Sequence, residues 1–390
     1  MVSRVYLDWN ATAPLRAESR EALLSTLREA GNPSSVHAQG RDARALLERA
    51  RNQVAAMLGA EARGVIFTSG ATEANMLAPT PTLHTADDPR PVTRLLASAV
   101  EHPSVQAGGR FAPDAVDTVP VTPDGVLDLD ALEAAVSRLA AAGERVLVSI
   151  MAVNNETGVI QPVAEAARIV HEAGGLLHVD AVQAVGRIEF NINEMDVDLA
   201  TVSSHKIGGP QGAGALVRAD DRLQFAPAIR GGGQERGWRA GTENVAAIAG
   251  FGAAAVEATR GRLAETARLG GLREYLERGL LEIEPDTVVF GQRAGRAANT
   301  TLFAVPGIRA ETALIALDLE GIAVSSGAAC SSGKVTPSHV LAAMGVPLEI
   351  AAGAIRVSTG WSTSETDIET FLKTWRKYVA ALGKAGRKAA

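Results

Sequence analysis

The hydrophobic positions of this chain follow two alternating patterns from about residue 40 to residue 260. Between Arg41 and Leu58 the apolar residues recur every three or four positions, which predicts a helix with one buried face. Two further helices are predicted, from Glu73 onward and over Val163–Glu172. Short apolar runs predict buried strands at Val65–Thr68, Leu95–Ser98, Val116–Val119, Val146–Val153, Gly175–Asp180 and Leu199–Lys206. The alternation predicts an α/β fold with a mostly parallel central sheet.

The pattern changes after Ala246, where a long helical region predicted to be interrupted at Gly261 and at Gly270-Gly271 extends to Glu284. Shorter elements follow, with strands predicted at Thr287–Phe290, Asn299–Phe303, Ile322–Val324 and Gly353–Ser358 and helices at Ala310–Leu319 and Glu365–Leu382. We therefore predict a large α/β domain over residues 15–260. Residues 1–14 and 261–390 are predicted to form a smaller α+β domain.

Composition limits the classes of function. The chain has 390 residues, 46% hydrophobic and 21% charged, and a formal net charge of -6, which gives no reason to expect a nucleic-acid partner. Its single cysteine, Cys330, excludes an intramolecular disulfide and favours a reducing compartment. The first eight residues contain no signal-peptide core, and the longest charge-free apolar run, Val245–Val256, is too short to span a membrane. We expect a cytoplasmic protein without a membrane partner.

Asp180 and Lys206 stand 26 positions apart, each at the end of a predicted strand. The carboxyl ends of strands are where open α/β sheets bind ligands. An amine and a carboxylate placed there suit pyridoxal 5'-phosphate (PLP): the amine forms a Schiff base with the aldehyde, and the carboxylate keeps the pyridine nitrogen protonated. Taken singly, a surface lysine and a helix-capping aspartate are the simpler interpretations. The pair on neighbouring strands favours the cofactor.

A phosphate site is predicted where Gly70 turns the chain from a strand into a helix that begins at Ala71 and Thr72. Backbone N–H groups at a helix start, together with a hydroxyl, bind anions, although any capped helix looks similar. The segment lacks the P-loop and dinucleotide-binding spacings, so a nucleotide is not favoured. Further phosphate donors could come from Ser203, His205 and Thr242.

Other polar residues follow strands at positions that suit a flat cofactor. His102 could stack on the ring and move protons, although a capping or core histidine is the simpler interpretation. Asn155 and Gln183 could bind the ring oxygen, although two adjacent asparagines are also typical of a turn. Arg356, between apolar neighbours on a predicted strand, requires an anion, which could be a substrate carboxylate or a structural partner.

Cys330 lies in a run of small, polar and glycine residues, about 325–336, that cannot pack into a core. Lone cysteines are usually small buried hydrophobic residues, but this neighbourhood predicts an exposed segment and makes a nucleophile plausible.

Taken together, these motifs resemble the cysteine desulfurase family, within the class V aminotransferase group of fold-type I PLP-dependent transferases. The resemblance extends along nearly the whole chain, through Tyr6–Asp8, Gly31–His37, Thr68–Asn75, Glu101–Pro103, Asn154–Gly158, His178–Gln183, Ser203–Lys206, Gly231–Arg236 and Ala240–Asn244. The Cys330 segment, followed by Ser338–Leu341, is similar to the longer loop of the NifS and IscS subgroup.

The resemblance implies a role for each candidate residue. Lys206 is the Schiff-base lysine, Asp180 pairs with the ring nitrogen, and Cys330 accepts the sulfur. The remaining roles are stacking and proton transfer for His102, contact with the ring oxygen for Asn155 and Gln183, phosphate binding for Ala71, Thr72, Ser203 and His205, and carboxylate binding for Asn32 and Arg356. Thr242 would complete the phosphate site of the neighbouring subunit in a homodimer. No metal ion of its own is expected, although Cys330 could contact an iron–sulfur cluster during transfer.

The expected reaction converts L-cysteine to L-alanine and leaves the sulfur on Cys330 as a persulfide, for acceptors in iron–sulfur cluster or other sulfur biosynthesis. Lys206 would remove the Cα proton, and the Cys330 thiolate, assisted by His102 or Lys334, would attack the substrate sulfur. Two alternatives remain: a selenocysteine lyase or transaminase on the same scaffold, and a non-catalytic sulfur-relay protein.

Overall fold

A computed structural model of the chain describes residues 4–29, 31–326 and 338–389, with the backbone alone for 383–389. The helices of these residues are α1 (Ala17–Leu27), α2 (Ala38–Leu58), α3 (Ala71–Leu77), α4 (Pro103–Gln106), α5 (Leu129–Ala141), α6 (Val163–Glu172), α7 (Val245–Arg260), α8 (Arg262–Ile283), α9 (Ala310–Leu319), α10 (His339–Ala343), α11 (Leu348–Ala351) and α12 (Glu365–Ala389). Their strands are β1 (Val5–Tyr6), β2 (Val65–Thr68), β3 (His84–Thr85), β4 (Arg94–Ser98), β5 (Val116–Val119), β6 (Val146–Met151), β7 (Leu176–Asp180), β8 (Leu199–Ser203), β9 (Gly214–Arg218), β10 (Leu223–Gln224), β11 (Val288–Val289), β12 (Thr300–Ala304), β13 (Ile322–Ala323), β14 (Ser325–Ser326) and β15 (Ile355–Ser358).

The main sheet has the strand order β2-β9-β8-β7-β6-β4-β5. The pairs from β8 to β5 are parallel, whereas β9 is antiparallel to both of its neighbours. Residues of β6, β7 and β8 are buried throughout, as expected for strands covered by helices on both faces. This architecture confirms the predicted α/β fold with a mostly parallel sheet, and its parallel strands end along one edge.

A second, antiparallel sheet has the order β11-β12-β15-β14, and β1 pairs with β13 beside it. A separate hydrophobic cluster joins these strands to α8, α9 and α12, with Phe303, Phe371 and Trp375 fully buried at its centre. The return of the first residues to β13 supports the predicted small domain. The division into residues 15–260 and residues 1–14 with 261–390 stays a prediction.

Several elements differ from the sequence-based expectation. The predicted break at Gly261 lies between α7 and α8, but Gly270-Gly271 lies inside α8 and does not interrupt it. Tertiary packing explains the continuity, because Leu269, Leu272, Leu276 and Leu280 of α8 are buried in the second cluster. Helices α1 and α5 and strand β9 had not been predicted. Among the described residues, no helix is both long and apolar enough to cross a lipid bilayer.

Candidate active site

A cavity of about 540 Å³ opens at the carboxyl ends of the central parallel strands. Its volume lies within the range usual for small-molecule sites, roughly 300–1,000 Å³. Ten of the predicted site residues line it: Ala71, Thr72, His102, Asn155, Asp180, Gln183, Ser203, His205, Lys206 and Arg356. The strand order produces this convergence, because β6, β7 and β8 are adjacent and deliver the loops that follow them to one place.

Asp180 is the last residue of β7 and is buried on the cavity wall. Its Oδ2 accepts a hydrogen bond of 2.8 Å from Asn75 Nδ2, and its Oδ1 accepts one of 3.0 Å from Val182 N. Donors to both oxygens fix the orientation of the carboxyl group. Asp180 can therefore offer an oriented carboxylate to a cationic group in the cavity.

Lys206 lies three residues beyond β8, at the end of a short 3₁₀ turn over Ser204–Lys206. Its Nζ donates hydrogen bonds to the backbone carbonyls of Asn10 and Ala11, the latter at 2.9 Å. Because Asp180 pairs with Thr201 across β7 and β8, the amine and the carboxylate come from neighbouring strands and border the same cavity. This is the arrangement that a Schiff-base cofactor with a basic ring nitrogen requires.

His102 borders the cavity and caps α4. The backbone N–H of Ser104 donates to His102 Nδ1 at 3.1 Å, and a backbone N–H can only donate. The neutral ring therefore carries its proton on Nε2. Burial lowers the pKa of His102; the Lys206 charge acts in the same direction, and the Asp180 charge opposes it. The ring is thus a neutral imidazole at physiological pH.

The start of α3, which also lines the cavity, provides donors for an anion. Gly70 precedes α3, so the backbone N–H groups of Ala71 and Thr72 occupy its first turn, where no intrahelical acceptor is available. A β-carbon at Gly214 would lie 2.7 Å from Gly70 Cα, so glycine at 214 lets β9 pass directly under this turn. Burial, aided by the nearby charge of Lys206, lowers the pKa of His205 to about 4, which leaves a neutral ring that can donate one hydrogen bond.

Asn155 and Gln183 also face the cavity. Gln183 Nε2 donates to the carbonyl of Asn10 at 3.0 Å, and its Oε1 accepts from Arg187. The Asn155 carbonyl accepts from Asn10 Nδ2 at 3.2 Å and from Arg356 Nη1 at 2.9 Å. These contacts hold the Gln183 side chain and the Asn155 backbone in place on the wall of the cavity that Lys206 also borders.

Arg356 has a specific anionic partner. Its Nη2 donates to Asp8 Oδ1 at 2.8 Å, and the arginine side chain is only 3% exposed. The sequence left two candidate anions for Arg356, a substrate carboxylate and a structural partner. The structure contains the structural partner, Asp8. Arg356 also borders the cavity, and its buried Nε has no hydrogen-bond partner among the described residues.

Two predicted site residues that the structure describes, Asn32 and Thr242, do not line this cavity. Asn32 is exposed on the connection between α1 and α2, where its Oδ1 accepts from Ser34 N at 2.9 Å. Thr242 is exposed on the loop before α7. Cys330 lies outside the described residues, as does Lys334. The roles expected of these residues stay predictions.

Sequence reasoning assigned no role to two residues that organise the site. Asn75, which supports Asp180, also donates to Ser104 Oγ at 2.9 Å, and its buried Oδ1 has no partner in the described part of the chain. Helical spacing could have identified it, because Asn75 lies three and four positions after Thr72 and Ala71. Asn10, the carbonyl partner of Lys206, offered no such signal. Within the described ranges no cluster of three or more acidic, histidine or cysteine side chains could hold a metal ion.

Fold and cavity together are typical of an α/β enzyme that binds a small molecule at the carboxyl ends of its parallel strands. Comparisons with known proteins specify the family. The sequence profile of the family described as Aminotransferase class-V matches residues 5–371. A curated relative, "Cysteine desulfurase IscS" of Dictyoglomus turgidum, is 39% identical over 98% of this chain and 96% of its own length. "Cysteine desulfurase" of Cereibacter sphaeroides is 43% identical over 95% of each chain.

The solved structures give the same result. The crystal structure of a NifS-like protein from Rickettsia africae superposes with a TM-score of 0.86 at 37% identity, covering 96% of this chain and 99% of the other. The chain belongs to the aminotransferase class-V family and, within it, to the cysteine desulfurases.

Proposed function

We propose that this protein converts L-cysteine to L-alanine with Lys206 and Asp180 at its PLP site and Cys330 as the sulfur acceptor. The desulfurase activity and the PLP cofactor follow from the family. The observation that carries the residue assignment is the position of Asp180 and Lys206 at the ends of adjacent parallel strands, bordering one cavity.

The residues of the cavity fit PLP. Asp180 presents a carboxylate with donors on both oxygens, and the first turn of α3, whose Ala71 and Thr72 line the cavity, has backbone N–H groups without intrahelical acceptors. Asn75 Oδ1 and Ser204 Oγ are buried polar atoms without a partner among the described residues. Asn75 lines the cavity, and Ser204 lies in the sequence between two residues that line it, Ser203 and His205. We propose Ala71, Thr72, Ser203 and His205 for the phosphate, with Thr242 of a second subunit. Bound PLP supplies an electron-accepting ring that stabilises negative charge on the substrate Cα.

Lys206 is proposed to remove the Cα proton of the substrate. The carbonyls of Asn10 and Ala11, which accept hydrogen bonds from Nζ, can hold the resulting ammonium. This stabilisation requires no movement of the backbone, because Asn10 is itself fixed by Gln183 and Thr300. Lys206 can then return the proton to a different atom.

His102 is proposed to act as a donor from Nε2, since Nδ1 accepts from Ser104 N. Its Nε2–H can hydrogen-bond to an electron-rich atom of the substrate or cofactor, and loss of that proton to a nearby thiolate would be costly for a neutral imidazole. The lowered pKa makes His102 a poor reservoir for a second proton at neutral pH. Assistance to the thiolate of Cys330 therefore has to come mainly from a cation, for which Lys334 remains the sequence-based candidate.

Arg356 is proposed to bind the substrate carboxylate, with Asn32 as a second candidate from the sequence. The position of Arg356 on the cavity wall, with a second N–H on each Nη atom beside those bound to Asp8 and Asn155, supports this role. The exposure of Thr242 on one chain is compatible with a homodimer in which it completes the neighbouring site. We further propose a cytoplasmic location and a sulfur-acceptor or iron–sulfur scaffold protein as the partner.

The test is incubation of the PLP-loaded protein with L-cysteine, with alanine formation and the mass of the Cys330 peptide measured in the same sample. We expect stoichiometric alanine and a mass gain of one sulfur atom on that peptide. Cys330→Ala should retain PLP and bind L-cysteine but form no persulfide. Sustained sulfide release by Cys330→Ala would contradict the role of Cys330, and a preference for L-selenocysteine or for amino-donor and keto-acid pairs would contradict the proposed substrate.

A further inference from the structure

We propose that Asp8 is a positioning residue for substrate binding: its carboxylate holds the Arg356 guanidinium in place at the wall of the cavity. This inference rests on the proposed role of Arg356 in binding the substrate carboxylate. It assigns the specificity for an α-carboxylate to a pair of residues 348 positions apart rather than to the arginine alone.

The hydrogen bonds of Arg356 divide its guanidinium into two parts. Nη2 donates to Asp8 Oδ1 at 2.8 Å and Nη1 donates to the Asn155 carbonyl at 2.9 Å. Nε is buried, without contact to solvent, and has no partner among the described residues. A carboxylate commonly binds a guanidinium through two parallel N–H donors, and Nη1 with Nη2 forms one such pair. Each protein acceptor takes one N–H of its Nη atom, so a second N–H on Nη1 and on Nη2 remains for a ligand.

The backbone fixes Asp8 relative to the strand that carries Arg356. Asp8 forms a parallel bridge with Ser358 of β15, and Ser358 N donates to the Leu7 carbonyl at 2.8 Å. Tyr6 Oη donates to the Asp8 carbonyl at 3.1 Å. Asp8 and Arg356 thus belong to backbone segments that are hydrogen-bonded to each other, which fixes the position of the carboxylate relative to the guanidinium.

Burial makes this arrangement energetically necessary. The Arg356 side chain is 3% exposed and that of Asp8 is 21% exposed, so the arginine charge depends on a nearby anion. Without Asp8, the backbone carbonyl of Asn155 would be the remaining acceptor for Arg356 among the described residues, and the guanidinium could rotate away from the cavity. Asp8 accepts one N–H of Nη2, so it orients Arg356 while the second N–H of that atom remains for a ligand.

The experiment compares L-cysteine with cysteamine, which has the same amine and thiol but no carboxylate. Binding to PLP-loaded wild type, Asp8→Ala and Asp8→Asn is followed by the change in cofactor absorbance, and kcat and KM are measured for L-cysteine. We expect Asp8→Ala to weaken L-cysteine binding about tenfold, the loss of one charge-assisted hydrogen bond. Cysteamine binding should change less than about twofold. Asp8→Asn, which keeps an oxygen acceptor without the charge, should lie between wild type and Asp8→Ala.

Controls separate this inference from the proposed function. Asp286→Asn, at an exposed turn, should bind both ligands like wild type. The thermal unfolding midpoint of each PLP-free variant shows whether that variant folds. If Asp8→Ala does not fold, the binding measured for Asp8→Asn decides the outcome. Unchanged or tighter L-cysteine binding in the Asp8 variants, or equal losses for both ligands, overturns the positioning role. Unchanged L-cysteine binding in Arg356→Lys instead refutes the role of Arg356, and absence of alanine formation by wild type refutes the proposed function.

Discussion

Glu235→Gln tests a buried ion pair that holds the glycine-rich loop, residues 231–241, against the main sheet. Arg51 of α2 donates through Nη1 and Nη2 to the two carboxylate oxygens of Glu235, at 2.7 and 2.9 Å. The side chains are 3% and 2% exposed. Glu235 also accepts from Phe67 N at 2.9 Å, and it has a positive φ of 46°, a conformation rare outside glycine. Such strain persists only where the surroundings compensate for it.

The magnitude follows from burial. Removing one partner of a buried ion pair costs about 3–5 kcal/mol, because the remaining charge is left in a medium of low polarity. We expect about 3 kcal/mol for Glu235→Gln, at the low end of this range. Glutamine keeps one oxygen that can accept from Phe67 N or Arg51, and Arg51 Nε keeps its contact with Glu48 Oε1 at 3.2 Å. Glu172→Gln is the matched control: its partner Arg168 lies four residues earlier and both side chains are 60% exposed. Exposed helical pairs of this kind contribute about 0.3–0.5 kcal/mol.

The assay is urea unfolding of PLP-free protein followed by circular dichroism, so that cofactor binding does not contribute to stability. The variant Arg51→Met with Glu235→Gln should lose clearly less stability than the sum of the single variants, because it no longer buries an uncompensated charge. Equal small losses for Glu235→Gln and Glu172→Gln would refute the reasoning. They would mean that water reaches the Arg51 guanidinium in solution.

Two further predictions concern pH. Hydrogen bonds to Asp198 and Asp196 raise the pKa of His171 to about 9, so its stabilising contribution is full below pH 6.5 and is lost as pH rises through 9. Relative to His171→Gln, wild type should lose about 2–3 kcal/mol of unfolding free energy between pH 6 and pH 9.5, measured by urea unfolding. A difference in unfolding free energy between the two proteins that stays the same across this pH range contradicts the ion pair. Burial and the nearby Asp180 charge raise the pKa of Glu101 well above its usual range, so wild-type stability falls as pH rises above about 4.3. Glu101→Gln, which does not titrate, should therefore be more stable than wild type at pH 7 and lose that advantage toward pH 4; a less stable variant at pH 7 would show that Glu101 is ionised.

The sequence was sufficient for features that depend on local patterns. Buried parallel strands are short apolar runs, and the residue that ends such a run must lie at the edge of the sheet. For that reason Asp180 and Lys206 could be assigned to one site before the structure was known, and β7 and β8 are indeed adjacent. Strand β9 was missed because its sequence, Gly214–Arg218, is short and begins with a glycine whose role is close packing against Gly70. Packing of this kind leaves no periodic signal.

The contacts of the N-terminal segment, residues 8–12, show why the rest of the site was out of reach. Asp8 binds Arg356, which lies 348 positions later in the sequence, and the Asn10 carbonyl accepts a hydrogen bond from Lys206, 196 positions later. The periodicity of hydrophobic residues carries no information about contacts at such separations. Asn10 and Ala11 contact the lysine through backbone carbonyls, which every residue possesses. A substitution at Ala11 would therefore leave the acceptor in place, whereas a shift of the backbone would remove it. It follows that backbone pairing, rather than the side chains of this segment alone, fixes the environment of the Lys206 amine: Val5 and Tyr6, just before the segment, pair with β13, and Asp8 bridges to Ser358 of β15.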